Sequence, residues 1–473
     1  MTGGGDARGG GDARGGGDAR GGGDARGGGG DARGGGPRSE LGEQIRLAIP
    51  LAAQQIGMQL MGSVDAALLG RYSGTALAAA SVGNNLLFAI TSIGLGVVLG
   101  LDSVVPRAVG ARREEDARRY LDAGVRLALI VGALATLLVV LSPLVLDLAD
   151  VDPAVAAEAR RYVYVRALGV VPFLLGIAYR SYLAAHGVTR PLILSVIAGN
   201  VVNAALDVVL IFGVDAIGLP ALGTAGAALA TLAVQLVICA IYAASARRLA
   251  DGRPRPRATG RDLAEVLGHG GPVGGQLFAE VGIFGVATVI AAHLGTRPAA
   301  AHAIALNLAS FTFSFAVGIG SATSVRVGHA VGAEDTALAR RRGLIGLGLG
   351  LGVMACSAAV FVAAPAVLAS AFTDDTTVIA AAVPLLQIAA LFQLSDGVQA
   401  IAAGALRGIG RTRATLVGNL IGHYVIGLPI SLGLGFGAAL GAPGLWWGLS
   451  AGLTATAAYL LARFLAATRR KAP

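Results

Sequence analysis

Four carboxylates sit where water should not reach them. Asp65, Asp207, Glu280 and Asp396 each fall inside a long apolar run. An acid at the centre of an apolar membrane helix costs roughly 2.5–3.5 kcal/mol on insertion scales, so each needs a chemical reason. The chemistry open to such a group is reversible: it takes up a proton or a hard cation and gives it back.

The neighbours sharpen this reading. Gln54, Met58, Met61 and Asp65 recur at helical spacing and trace one stripe. A carboxylate above two flexible thioethers suits a cavity that accepts varied apolar cations; a helix-end pairing of Asp65 with Arg71 is the plainer alternative. Asn200, Asn203 and Asp207, three and four residues apart, form a second polar stripe in an apolar run. Carboxylate and amide oxygens together could bind a proton or desolvate Na⁺, or the amides could simply hold helices together. Glu280 lies between Gln276 and Phe284, one turn to either side, and Asp396 has Phe392, Gln393 and Gln399 around it. No basic residue lies within a turn of either, so each could cycle between charged and neutral forms; a permanently protonated hydrogen-bond donor is the structural alternative. His302 and His423 also fall inside apolar runs, where packing or hydrogen bonding is their expected role. There is no Gly-Lys-Ser/Thr phosphate loop and no His-Glu-x-x-His, so nothing supports nucleotide hydrolysis or zinc chemistry. No nucleophile–base constellation marks an enzyme, and no cofactor is expected.

These residues must be positioned by membrane helices. Of 473 residues, 55% are apolar and only 14% charged, against roughly 25% charged in soluble domains. Mean hydropathy is +0.70. Between Leu41 and Ala467 twelve apolar runs alternate with short breaks, each longer than the roughly 20 residues that cross a bilayer. The even-numbered breaks are rich in arginine, as in Arg107, Arg112, Arg113, Arg118 and Arg119, or Arg340 to Arg342; the odd ones carry Asp147, Asp150, Asp152, Asp374 and Asp375. Arg160 and Arg161, near the start of the fourth run, go against the trend. The bias predicts both termini on the cytoplasmic side. It also accounts for the net charge of +9 without invoking nucleic acid, because the arginines are spread between apolar runs. Cys239 and Cys356 lie inside apolar runs and imply no disulfide framework.

The chain divides into a Gly-Gly-Gly-Asp-Ala-Arg repeat tail over 1–40, an N-lobe over 41–246, an Arg/Pro-rich linker over 247–262 and a C-lobe over 263–473. The tail's composition cannot bury a core and predicts flexibility. Val109-Gly110-Ala111 recurs as Val331-Gly332-Ala333, and Arg118-Arg119 as Arg340-Arg341 at the same offset. Six spans per half is an even number, so the halves are expected as parallel repeats about an axis along the membrane normal.

The strings Met61-Gly62-Ser63-Val64-Asp65, Ala301-His302-Ala303-Ile304-Ala305-Leu306-Asn307, Ser324-Val325-Arg326-Val327-Gly328-His329 and Asp396-Gly397-Val398-Gln399 together resemble the multidrug and toxic compound extrusion (MATE) family, its NorM-like branch in particular. The resemblance covers about 41–467. It implies an all-α polytopic fold of twelve transmembrane helices in two six-helix lobes. It also implies export of cationic or amphipathic organic compounds in exchange for Na⁺ or H⁺, through a cavity open to one side at a time. By that resemblance Asp65, Asn203 and Asp207 fall on the N-lobe cation or proton site, where Na⁺ would be held, and Glu280 and Asp396 on the C-lobe acidic positions. Gln54, Met58, Met61, Asn200, Gln276, Phe284 and Phe392 are expected to line the substrate cavity. NorM-like relatives usually carry an amide where this chain has Asp207, while other branches carry aspartate, which leaves Na⁺ and H⁺ both open. A monomer in the bacterial inner membrane, in contact with lipid and small organic cations, is expected. The rival within transport is a lipid-linked saccharide flippase of related fold, which would favour a cationic cavity for pyrophosphate.

Overall fold

The computed structural model describes residues 37–148, 151–251 and 256–469, with Met1 and Gly3. Of the expected tail, residues 2 and 4–36 lie outside the described residues, as do Asp150, Arg253, Arg255, Arg470 and Lys471, whereas 37–40 form the start of the first helix. The N-lobe comprises α1 (Pro37–Tyr72), α2 (Gly74–Val98), α3 (Leu101–Gly110), α4 (Glu114–Leu141), α5 (Leu144–Leu148), α6 (Pro153–Ala167), α7 (Val170–Ala185), α8 (Arg190–Phe212) and α9 (Thr224–Leu249). The C-lobe comprises α10 (Gly260–His293), α11 (Thr296–Gly332), α12 (Thr336–Ala363), α13 (Pro365–Ser370), α14 (Thr376–Gly408), α15 (Thr412–Asn419), α16 (Leu428–Leu432) and α17 (Ala442–Ala467). Two π-helical stretches, Leu420–Gly427 and Gly433–Gly437, flank α16 and keep that span continuous.

Among the described residues ten spans are long and apolar enough to cross a membrane, and α6 with α7 make an eleventh across a 43° bend. The bend has a local cause: Pro172 cannot donate to the Leu168 carbonyl, one turn earlier, so the helix breaks at Leu168–Gly169. The twelfth is α1, 36 residues long. Gln54, Gln55, Gln59 and Asp65 lower its hydropathy, and it packs between α8 and α11. Arg161, on α6, pairs with Glu158 at 3.0 Å in solvent.

Soluble-facing helix ends carry the expected caps. Thr259 and Asp262 form a reciprocal capping box that starts α10, and Asp152 accepts from the backbone amides of Ala154 and Val155 ahead of α6.

The two lobes repeat one architecture and meet about a pseudo-two-fold axis. Pro50 in α1 and Pro272 in α10 stand at equivalent positions. Ser324 Oγ donates to the Asp102 carbonyl at 3.1 Å, and these two residues are themselves 222 positions apart, so equivalent positions face each other on the seam. A Cβ on Gly110 would come within 2.2 Å of the His329 carbonyl, and one on Gly332 within 2.1 Å of the Arg107 carbonyl. Gly96 against Gly274 and Gly318 against Ala52 repeat the same reciprocity. Small residues allow such backbone contact in a membrane.

These close approaches gather toward the arginine-rich side, which is shut. There Arg326 and Arg342 of the C-lobe both bond Glu40 of α1, and Arg340 donates to the Leu465 carbonyl near the end of α17. The first and last spanning helices therefore end on one side.

Candidate functional site

The N-lobe site is built by α1, α8 and α9. At Gly57 the first two are so close that a Cβ would lie 2.2 Å from Val196 Cγ1 and 3.1 Å from Asn200 Nδ2. This contact lays the polar stripe of α8 along α1. Two turns further on, the Asp65 and Asp207 carboxyls lie close enough to interact. A proton or a cation between two such carboxyls would relieve their repulsion. Thr231 Oγ1 of α9 donates to Asp65 Oδ2 at 3.0 Å. Asp65 Oδ1, both Asp207 oxygens and the Asn203 side-chain oxygen are buried without a hydrogen-bond partner. The plainer pairing of Asp65 with Arg71 is not made.

The donor set is oxygen-only and carries two formal charges. Among the described residues no three His, Cys, Asp or Glu side chains converge. Oxygen donors of this kind suit a proton or a hard cation. Of the rest of these stripes, Gln54 and Met61 are buried, whereas Met58 is 40% exposed and stands at the stripe's open edge. Asn200 is partly buried and spends its amide on the Val196 carbonyl one turn back.

The C-lobe site is built by α10, α14 and the span holding α15 and α16. Glu280 Oε1 accepts from Gln276 Nε2 at 3.1 Å and from Gln399 Nε2 at 2.6 Å, with the Asn419 amide also in reach. Asp396 is 7% exposed, accepts no hydrogen bond among the described residues, and lies within electrostatic range of Glu280. Toward the other end, Phe284 meets Phe392 edge-on at 6.2 Å, and Phe392 meets Trp446 at 5.6 Å. Trp446 Nε1 donates to His302 Nδ1 at 3.2 Å, so His302 has the hydrogen-bonding role expected of it. His423 has the packing role instead: it is 1% exposed, its ring lies 6.3 Å from that of Phe284, and neither ring nitrogen is hydrogen-bonded.

Several residues escaped sequence reasoning. Thr231 is one of many threonines, and nothing in its spacing marks it. Tyr162 lies within electrostatic reach of Asp65 and Asp207 and carries the Arg166 guanidinium over its ring at 5.9 Å; both sit where the bent span hid its register. Asp102 is a further buried carboxylate, paired with Arg180 across 3.4 Å. Its place inside the second apolar run was the available signal. Arg407 lies within electrostatic range of Glu280, so the basic neighbour absent from Glu280's own helix is supplied by another.

Comparisons with known proteins bear on the chain as a whole. The family model described as MatE matches twice, over residues 50–209 and 272–432. The chain is 36% identical over 445 residues to a probable multidrug resistance protein NorM of Bradyrhizobium diazoefficiens, covering 91% of this chain and 94% of that protein. It is 37% identical over 448 residues to the Deinococcus radiodurans protein of the same name, covering 91% and 96%. Among solved structures, the eukaryotic MATE transporter AtDTX14 superposes with a TM-score of 0.83 at 20% identity, over 90% of this chain and 96% of that one. A variant of the Vibrio cholerae MATE transporter VcmN gives 0.83 at 22%, over 91% and 97%. Two matched halves, relatives aligned from end to end and a shared two-lobed helical fold lead to one conclusion: the chain belongs to the MatE family.

Proposed function

We propose that this protein is a secondary antiporter that exports cationic or amphipathic organic compounds in exchange for Na⁺ or H⁺. The observation that carries this reading is the facing pair Asp65–Asp207, whose unpartnered oxygens are buried in an otherwise apolar bundle. A proton or Na⁺ entering between them cancels the charge that would hold an organic cation, so ion and drug bind in alternation. Each elementary charge crossing 100 mV supplies roughly 2.3 kcal/mol, enough for one or two ions to drive useful accumulation. The arginine-rich side, which carries both helical ends, faces the cytoplasm of a bacterial inner membrane by the positive-inside bias. Chemistry at the site is ion and ligand exchange, with no bond made or broken.

Dye efflux from vesicles under separately imposed Na⁺ and proton gradients tests the reading and names the ion. Exchange driven by neither gradient overturns it in favour of the flippase. Asp65→Asn is expected to abolish ion-driven exchange while the protein remains folded in the membrane; unchanged exchange removes Asp65 from the mechanism.

A further inference from the structure

Outside both acidic sites, the arginine-rich end of the C-lobe carries a groove of about 560 Å³ on its outer surface. Its walls are Leu41 of α1 and one face of α12, from Arg340 and Arg341 through Leu344 to Gly348. Leu41 and Leu344 are 41% and 44% exposed, and a Cβ on Gly348 would meet no atom within 4 Å. The apolar end is therefore open to whatever surrounds the protein. At the polar end Arg340 donates to the Leu465 carbonyl at 3.4 Å. Arg341 Nη2 is buried without a hydrogen-bond partner, and among the described residues neither arginine pairs with a carboxylate. The acids that flank Leu41 are engaged elsewhere, Glu40 by Arg326 and Arg342 and Glu43 by Arg326. A buried donor left without an acceptor is costly, so the groove wants an anion from outside the chain.

The N-lobe shows the same positions filled by the protein itself. At the offset of 222, Arg119 stands for Arg341; it pairs with Asp116 at 2.8 Å and lies 3.8 Å from Asp262. Asp122 stands for Leu344 and Arg126 for Gly348. Asp122 accepts from the Ala258 amide and Arg126 donates to the Ala258 carbonyl, which pins the segment ahead of α10 in this place. In the C-lobe the counterpart of Asp116 is Leu338, and Leu344 and Gly348 offer a passing backbone nothing to bond. The arginines are kept, while their neutralising acid and the backbone anchors give way to apolar surface.

We infer that this groove is a binding site for an anionic phospholipid. Its headgroup phosphate sits on Arg340 and Arg341, and an acyl chain runs past Leu344 and over Gly348. A guanidinium presents forked donors that reach two phosphate oxygens at once, and basic pockets between membrane helices take such headgroups. Arg341 and Gly348 are two helical turns apart, about 10 Å, so the phosphate stays at the interface while the chain enters the hydrocarbon. The inference is independent of the coupling ion and of the antiport reading.

The test is native mass spectrometry of the full chain in detergent, titrated with phosphatidylglycerol or with phosphatidylcholine of the same acyl chains. The parent is expected to hold one phosphatidylglycerol about tenfold more tightly than phosphatidylcholine. Replacing both Arg340→Gln and Arg341→Gln is expected to erase that preference and leave phosphatidylcholine binding unchanged. Gly348→Phe, whose ring enters open space, is expected to weaken both lipids about tenfold. Arg413→Gln removes an exposed arginine at the start of α15, outside the groove, and is expected to change nothing. If a variant does not fold, Arg341→Gln alone or Gly348→Leu takes its place.

A preference that survives loss of both arginines, or that falls equally with Arg413→Gln, overturns the inference. So does Gly348→Phe binding phosphatidylglycerol as the parent does, because the chain then lies elsewhere. Full displacement of the lipid by an equal concentration of inorganic phosphate also overturns it, since the arginines would then serve a free anion.

Discussion

The two lobes share a scaffold and each holds a pair of acids within its apolar spans, yet they place them differently. The equivalent of Asp65 in α10, at the offset that joins Asp102 to Ser324, is Ala287, and the equivalent of Glu280 in α1 is Met58. The seam contacts repeat and the acids do not. Asp65 lies about 10 Å of helix from the far end of α1, whereas Glu280 lies about 20 Å from the far end of α10. In the N-lobe the carboxyls face each other, and one of them accepts from a threonine. In the C-lobe one carboxyl is held by two amides and a nearby guanidinium, and the other stands apart. Two lobes on one plan thus carry different partners for their acids. On the antiport reading proposed above, the facing N-lobe pair exchanges its occupant, and the amide-held C-lobe acid is the second ion-responsive group.

The sharpest way to break this contrast is to neutralise one acid per lobe. Asp207→Asn removes half of the N-lobe pair and the need for a shared proton or cation. Ion-driven dye exchange is expected to fall to background, at least about a hundredfold, as is typical when a group acting as a unit is lost. Asp396→Asn, which touches no partner, is expected to leave measurable exchange with altered ion dependence. Equal loss in both variants, measured as initial efflux rates from vesicles of matched protein content, would erase the distinction.

Much of this architecture was readable in the residues, for physical reasons that also explain the gaps. Apolar runs and arginine-rich breaks report the solvent each segment meets, so the spans, the repeat and the polar stripes of α1 and α8 could be inferred directly. The bend at Leu168–Gly169 could have been read from Pro172. What could not be read were partners from distant helices: Thr231 on Asp65, Gln399 on Glu280, Arg407 beside Glu280, Arg180 on Asp102. Spacing along one helix locates a face, but which helix lies opposite is decided by packing. The cation ambiguity has the same origin, because a carboxyl's preference depends on oxygens that other helices contribute.

A smaller and more discriminating effect separates the two holding arrangements. Gln399 donates to Glu280 at 2.6 Å, and a hydrogen bond to a charged group contributes about 1.5–3 kcal/mol. Gln399→Leu removes a donor that competes with the incoming ion. The ion concentration for half-maximal exchange is expected to fall about tenfold, with the maximal rate little changed. Thr231→Val takes one donor from Asp65, whose carboxyl still has Asp207 opposite, and is expected to shift that concentration no more than about threefold. Ion titrations of dye efflux measure both shifts, and a larger one at Thr231 would reverse the roles assigned to the lobes.

The finest comparison lies on the arginine-rich side, where the repeat places Glu40 of α1 and Asp262 of α10 at equivalent positions. Burial pushes the Glu40 carboxyl up, but hydrogen bonds from Arg342 and the charges of Arg342 and Arg326 outweigh it and hold Glu40 below the usual carboxylate range. Burial also raises Asp262, and bonds from its capping partner Thr259, helped by Arg119, again bring it below that range. A carboxyl lowered in the folded protein contributes its stabilisation in full above the ordinary carboxylate range and loses it as pH falls below. Glu40 is held across the lobes at 2.9 Å by Arg342 Nε, whereas Asp262 reaches Arg119 only at 3.8 Å and is otherwise held within its own helix cap. Glu40→Gln is therefore expected to lower the melting temperature in detergent at pH 7 by about 3 °C, and Asp262→Asn by less. At pH 3 the parent's carboxyls are being protonated as well, and both differences should shrink toward zero. A Glu40→Gln deficit that persists undiminished in acid would show that the side chain acts by packing rather than by charge.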